Sequence, residues 1–133
     1  PGISSAASDV YKRQIQGRTT AGSVNVRGEG SNNTNLQQGL AKSWVGILNK
    51  SAVSKGDSLN VASLTDPGTG RIQITYTTNM SNATYAVALG EGGNYPYQGK
   101  VISTSQAEHG SVTNGGNYTD STVGSLVIHG DLA

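Results

Sequence analysis

Leu59, Val61 and Leu64 on one side, and Ile72, Ile74 and Tyr76 on the other, flank the run Thr65-Asp66-Pro67-Gly68-Thr69-Gly70. Residues 71–78 set their apolar side chains against Gln73, Thr75 and Thr77, and residues 58–64 repeat the pattern more loosely. A period of two sends alternate side chains to opposite faces, which is the mark of a strand with one buried face. Pro67 presets its own φ and the glycines tolerate φ above zero, so residues 65–70 are predicted to close a hairpin. A lone hairpin is marginal in water, so its apolar face needs further strands to cover it.

Those strands are legible elsewhere. Val24 and Val26 alternate with polar residues over 23–27, before a polar turn at 31–35. The spacing of Leu36, Leu40, Trp44, Ile47 and Leu48 suits a helical face, but Gly39 and Gly46 interrupt it. We expect a helical turn over 36–41 and a strand over 42–48, with Trp44 in the core, where its removal would cost about 3–5 kcal/mol. Residues 84–89 read as a strand with Tyr85, Val87 and Leu89 on one face; Ala86 and Ala88 on the other imply a close neighbour there. Residues 101–105 and 124–129 read as two more strands, the last with Leu126 and Ile128 opposed to Val127. Residues 91–99 are a loop by composition, and residues 106–117 are expected to be irregular. Short strands spaced by turns predict an all-β fold, an antiparallel β-sandwich.

Material for a core is scarce. Leu, Ile, Val and Phe together make 26 of 133 residues and Gly alone makes 19, a thin supply for a self-sufficient domain and a reason to expect burial against a partner. Disorder is not implied, because nine Lys and Arg face eight Asp and Glu and the disordered signature needs an excess of charge. Residues 5–14 resemble the in-frame translation of a sequencing-library transposase adapter, and residues 1–14 are read as a non-native or disordered arm. Without Asp9, Lys12 and Arg13 the chain is neutral, which leaves no surplus to bind nucleic acid or anionic membrane. No run reaches the roughly 18 apolar residues of a membrane helix, so no membrane insertion is expected. With no cysteine, disulfide scaffolds, thiolate metal sites and thiol nucleophiles are excluded.

Catalytic and metal chemistry find little purchase. His109 and His129 are the two histidines, and their spacing supports no metal site; no cofactor is expected. Serines are many, yet no nucleophile-elbow motif accompanies them. Two-carboxylate glycoside hydrolysis would have to draw on Asp57, Asp66, Glu91, Glu108, Asp120 or Asp131, mostly turn residues, and only Glu91 and Glu108 border the variable loops. The chain is read as no enzyme. Tyr95-Pro96-Tyr97 in a Gly-rich loop is the stronger feature, since a tyrosine offers a sugar ring a flat apolar face and a hydroxyl at small entropic cost. The N-x-S/T triplets at Asn32, Asn49, Asn79, Asn82 and Asn117 are discounted as products of a chain rich in Asn, Ser and Thr.

Three stretches have a familiar look: NLQQGLAKSWV over 35–45, SLNVASLTDPGTGRIQITYTTNMSNATYAVAL over 58–89, and LVIHGDLA over 126–133. Together and in this order they resemble the distal C-terminal domain of bacteriophage tail fibre proteins of the environmental and marine type. Pro67 stands where that pattern usually has Asn, and residues 90–120 match nothing in it. The resemblance implies a homotrimer in the virion, assembled in the host cytoplasm, whose tip attaches to a bacterial surface glycan or outer-membrane protein. On this reading residues 15–41 form an extended trimerisation segment, with Val24 and Val26 toward the trimer axis, and residues 42–133 form the tip. Receptor contact is expected from Asn94, Tyr95, Tyr97, Gln98, His109, Asn114 and Tyr118. Two alternatives stay open: a purely structural domain that trimerises or ends the fibre, and a sugar-binding module of a secreted bacterial protein.

Overall fold

The computed structural model describes residues 24–27, 31–49, 51–90 and 95–133. The chain divides into two units, Pro1–Gly39 and Leu40–Ala133. In the first, β1 (Asn25–Arg27) pairs antiparallel with β2 (Asn33–Asn35), Val26 standing opposite Thr34. A single helical turn, α1 (Leu36–Gly39), follows, and the Leu36 amide donates to the Val24 carbonyl at 2.9 Å. The expected turn at 31–35 is thus partly strand, and the helical turn stops at Gly39, a residue poor at propagating a helix. Val26 is half-exposed. Residues 1–23 lie outside the described residues, and with them the arm and the first part of the proposed trimerisation segment.

The second unit is all-β. One antiparallel sheet runs in the order β4 (Ser54–Leu59), β3 (Ser43–Asn49), β10 (Gly124–His129), β7 (Ala86–Gly90). The other runs β5 (Val61–Gly68), β6 (Arg71–Tyr76), β9 (Gln106–Ser111), β8 (Tyr97–Ser103). Their inward faces share one core. Val45, Ile47, Leu126 and Ile128 come from the first sheet, and Val61, Ile72, Ile74, Tyr76 and Ala107 from the second, with Met80 and Tyr85 from the connection between β6 and β7. Alternation explains the split, since Leu126 is paired with Val45 while its neighbour Val127 is paired with Trp44 on the opposite face.

The strand expected over 58–64 is two strands in two sheets. Asn60 separates them with φ of 54°, a left-handed conformation that Asn tolerates better than most residues. Its side chain holds the corner: Nδ2 donates to the carbonyls of Lys42 and Thr78 at 3.1 and 3.0 Å, and Oδ1 accepts from the Thr78 amide at 2.7 Å. The hairpin forms as expected, but β5 continues through Asp66 and Pro67 to Gly68. A proline is tolerated there because β5 is an edge strand with a register shift between Thr65 and Gly68. The turn closes at Gly70, whose φ of 69° and a would-be Cβ 2.5 Å from the Thr119 backbone both require glycine.

Two expectations are corrected. Trp44 is on a strand, as expected, but outside the core: its cross-strand partners are Leu59 and Val127 on the outer face of the first sheet. The period of two fixes this, because Val45 and Ile47 take the inward positions. Residues 106–111, expected to be irregular, form β9, an inner strand whose residues 107–111 are all buried.

Candidate functional site

The outer faces of the two sheets of the second unit differ in character. On the second sheet, register places Arg71 opposite Gly110, and Gly110 opposite Gln98. The next outward row is Gln73, Glu108 and Lys100. Arg71 and Glu108 are therefore diagonal neighbours across β6 and β9, and their side chains form a two-pronged pair: Nε to Oε1 at 3.0 Å and Nη2 to Oε2 at 2.7 Å. Glu108 is 3% exposed although it points away from the core. Burying a charge on the solvent side of a sheet requires that it be paired, and Arg71 meets both carboxylate oxygens. The hydrogen bond to Glu108 and its charge raise the Arg71 pKa above the ordinary value.

Tyr118 completes the cluster. Residues 112–118 fold back on themselves: Val112 and Tyr118 form a β-bridge, the Thr113 amide donates to the Asn117 carbonyl at 2.8 Å, and Gly116 takes φ of 80°. This brings the Tyr118 ring onto Gly110, where a Cβ would approach it to 3.0 Å. The Arg71 guanidinium carbon lies 5.4 Å from the ring centroid, within the range of a cation–π contact. The Tyr118 hydroxyl donates to Gln98 Oε1 at 3.3 Å, and Tyr118 remains 43% exposed. A donor-rich, aromatic surface results, with its ring, guanidinium and amide each held by a partner.

No family model, curated protein or solved structure matches the chain.

Of the residues expected to meet a receptor, Gln98 and Tyr118 are brought into direct contact. Tyr95 is exposed, and the residue after it is tied to the start of the 112–118 turn by the Val112 amide donating to the Pro96 carbonyl at 2.9 Å. Asn114 is exposed at the tip of the 112–118 turn. Asn94 lies outside the described residues, as does Glu91. Tyr97 belongs to β8 rather than to a loop, and its half-buried ring lies 5.9 Å from that of His109. His109 is fully buried, so a surface contact by this residue is corrected. Its register partners Ile72 and Gly99 face inward, the latter toward Val87 and Leu89 of the other sheet. Glu108, expected in a solvated loop, is the buried partner of Arg71.

Sequence reasoning missed Arg71 as a site residue. It stands 37 positions from Glu108, and only the pairing of β6 with β9 unites them. Among the described residues, no group of three or more His, Asp and Glu is placed to hold a metal ion.

The outer face of the first sheet is of another kind. A single outward row crosses all four strands: Leu59, Trp44, Val127 and Ala88. The next row, Gly46, Ser125 and Gly90, is made of small residues, and Ala86 extends the face beside His129. Leu59 and Leu48 are 47% and 58% exposed. An apolar row thus runs across the outer face of this sheet from one edge strand to the other.

Proposed function

We propose that the chain is the tip domain of a bacteriophage tail fibre, a homotrimer in the virion that attaches to the host surface. The observation that carries this reading is the contrast between the two outer faces of one sandwich. The face bearing Trp44, Val127 and Ala88 carries an apolar row across all four strands, suited to a second copy of the same sheet, with alanine and glycine allowing close approach. The opposite face, with Arg71, Gln98 and Tyr118, is polar and aromatic, the composition of recognition surfaces. Three chains with their apolar faces toward a common axis would turn their recognition faces outward. The motifs over residues 35–45, 58–89 and 126–133 add the resemblance to fibre tips, and a thin core that gains burial from neighbours agrees with it.

Attachment is tested by incubating the fluorescently labelled chain with a panel of bacterial strains. The expected result is strain-restricted binding to the cell surface. Equal binding to every strain, or to none, contradicts an attachment role and favours a domain that trimerises or ends the fibre while recognition resides elsewhere.

A further inference from the structure

Attachment could use protein or sugar, and the outer face of the second sheet discriminates between them. Building on the attachment reading, we propose that the receptor is a saccharide and that its pyranose ring is held on Tyr118 between Arg71 and Gln98. Each of these groups has a partner in the free chain. The Tyr118 ring is seated on Gly110, where a Cβ would push it outward by a few tenths of an ångström, and its hydroxyl makes a long hydrogen bond to Gln98. Arg71 is clamped by both oxygens of a Glu108 that is itself almost wholly buried, and it lies over the same ring. The carboxylate is buried while the guanidinium stays a third exposed, so the two-pronged pair orients the guanidinium and leaves its outer side open to solvent.

The donors left over define the ligand. Arg71 gives Nε–H and one Nη2–H to Glu108, which leaves its remaining N–H groups for another acceptor. Gln98 accepts from Tyr118 through Oε1, which leaves its amide N–H groups for another acceptor. Lys100 follows Gln98 on the same outward side of β8. The acidic groups nearby are occupied: Glu108 with Arg71, and one oxygen of Asp120 with the Gly70 amide. A half-exposed aromatic ring flanked by locked donors fits a ring that is apolar on its C–H face and dense with acceptor oxygens at its rim. A saccharide has that chemistry, and little ordering entropy is lost because the site is formed beforehand.

The test is titration of the full chain with a panel of neutral oligosaccharides and of hexuronic-acid oligosaccharides, the latter also in carboxyl-reduced form. Variants are Tyr118→Ala, Gln98→Ala and, as a reference in the neighbouring loop, Tyr95→Ala. The expected result is saturable binding of at least one oligosaccharide, weakened roughly tenfold by Tyr118→Ala, the loss of about one stacking contact, in a variant that still unfolds cooperatively. Loss of affinity on carboxyl reduction would identify an acidic sugar held by Arg71, and equal affinity a neutral one; both support the site. Binding lost with Tyr95→Ala but not with Tyr118→Ala overturns the site and leaves attachment standing. Adhesion to cells that resists periodate oxidation of their glycans, with no oligosaccharide bound, overturns the saccharide and leaves attachment standing. Failure to bind both cells and sugars removes attachment as well.

Discussion

Tyr76 and Tyr85 meet edge to face in the core, ring centroids 5.9 Å apart, and their hydroxyls have opposite fates. The Tyr85 hydroxyl reaches the carbonyls of Ser103 and Gln106 at 2.9 and 2.6 Å. The Tyr76 hydroxyl is buried and makes no hydrogen bond of ordinary geometry among the described residues, its interaction with the Tyr85 phenol falling short of one. An unsatisfied buried hydroxyl costs free energy, whereas a satisfied one contributes. Tyr76→Phe is therefore expected to leave stability unchanged or raise it by up to about 1 kcal/mol, and Tyr85→Phe to lower it by about 1–3 kcal/mol; urea denaturation at constant slope checks both. Burial raises the pKa of each phenol above its ordinary value, because the phenolate is disfavoured away from water. Folding then favours the neutral form. The stability linked to these phenols is fully present below the unfolded pKa of about 10 and is lost as pH rises beyond it. A thermal midpoint that is flat from neutral pH to about 9 and falls above about 10 is expected, with a shallower fall in Tyr76→Phe.

Among the elements, β6 was legible because Ile72, Ile74 and Tyr76 alternate with polar residues, and β10 because the short run Leu126, Val127 and Ile128 is rich in strand-forming residues. In contrast, β9 offered no such signal. Its run Ala107, Glu108, His109, Gly110 and Ser111 is buried on both faces, the inward one filled by small or polar side chains and the outward one covered by Arg71 and Tyr118. Tertiary cover, which no local pattern encodes, made it a strand. The break at Asn60 was hidden for a related reason: one left-handed residue moves the chain from one sheet to the other without a run of turn residues. The site was half visible, since Tyr118 and Gln98 stand out as exposed polar and aromatic residues of the variable region, while Arg71 and Glu108 required the register of β6 on β9. Orientation on β3 gives a direct check. Ile74→Ala, deep in the core, is expected to cost about 2–5 kcal/mol. Trp44→Ala, measured in an Ala88→Arg background that keeps the outer face unpaired, is expected to cost less than the roughly 3–5 kcal/mol of a core aromatic. A loss in the full core range would place the Trp44 ring inside.

Across the whole molecule, a thin core is joined to an apolar outer face. The chain is neutral once residues 1–14 are set aside, so long-range charge neither drives nor opposes association of its copies. What remains is burial of the row Leu59, Trp44, Val127 and Ala88. Ala88 is exposed in the single chain, and a charged side chain there would have to be desolvated in any close packing of two such faces. Ala88→Arg is accordingly expected to fold but to remain monomeric, with an unchanged circular dichroism spectrum. The most direct measurement is the solution mass of the full chain by light scattering across a dilution series. A mass of three chains of 13.6 kDa each is expected to persist on dilution and to fall to that of a single chain in Ala88→Arg. A well-folded monomer at every concentration would contradict the trimer and make a free-standing sugar-binding module the better description.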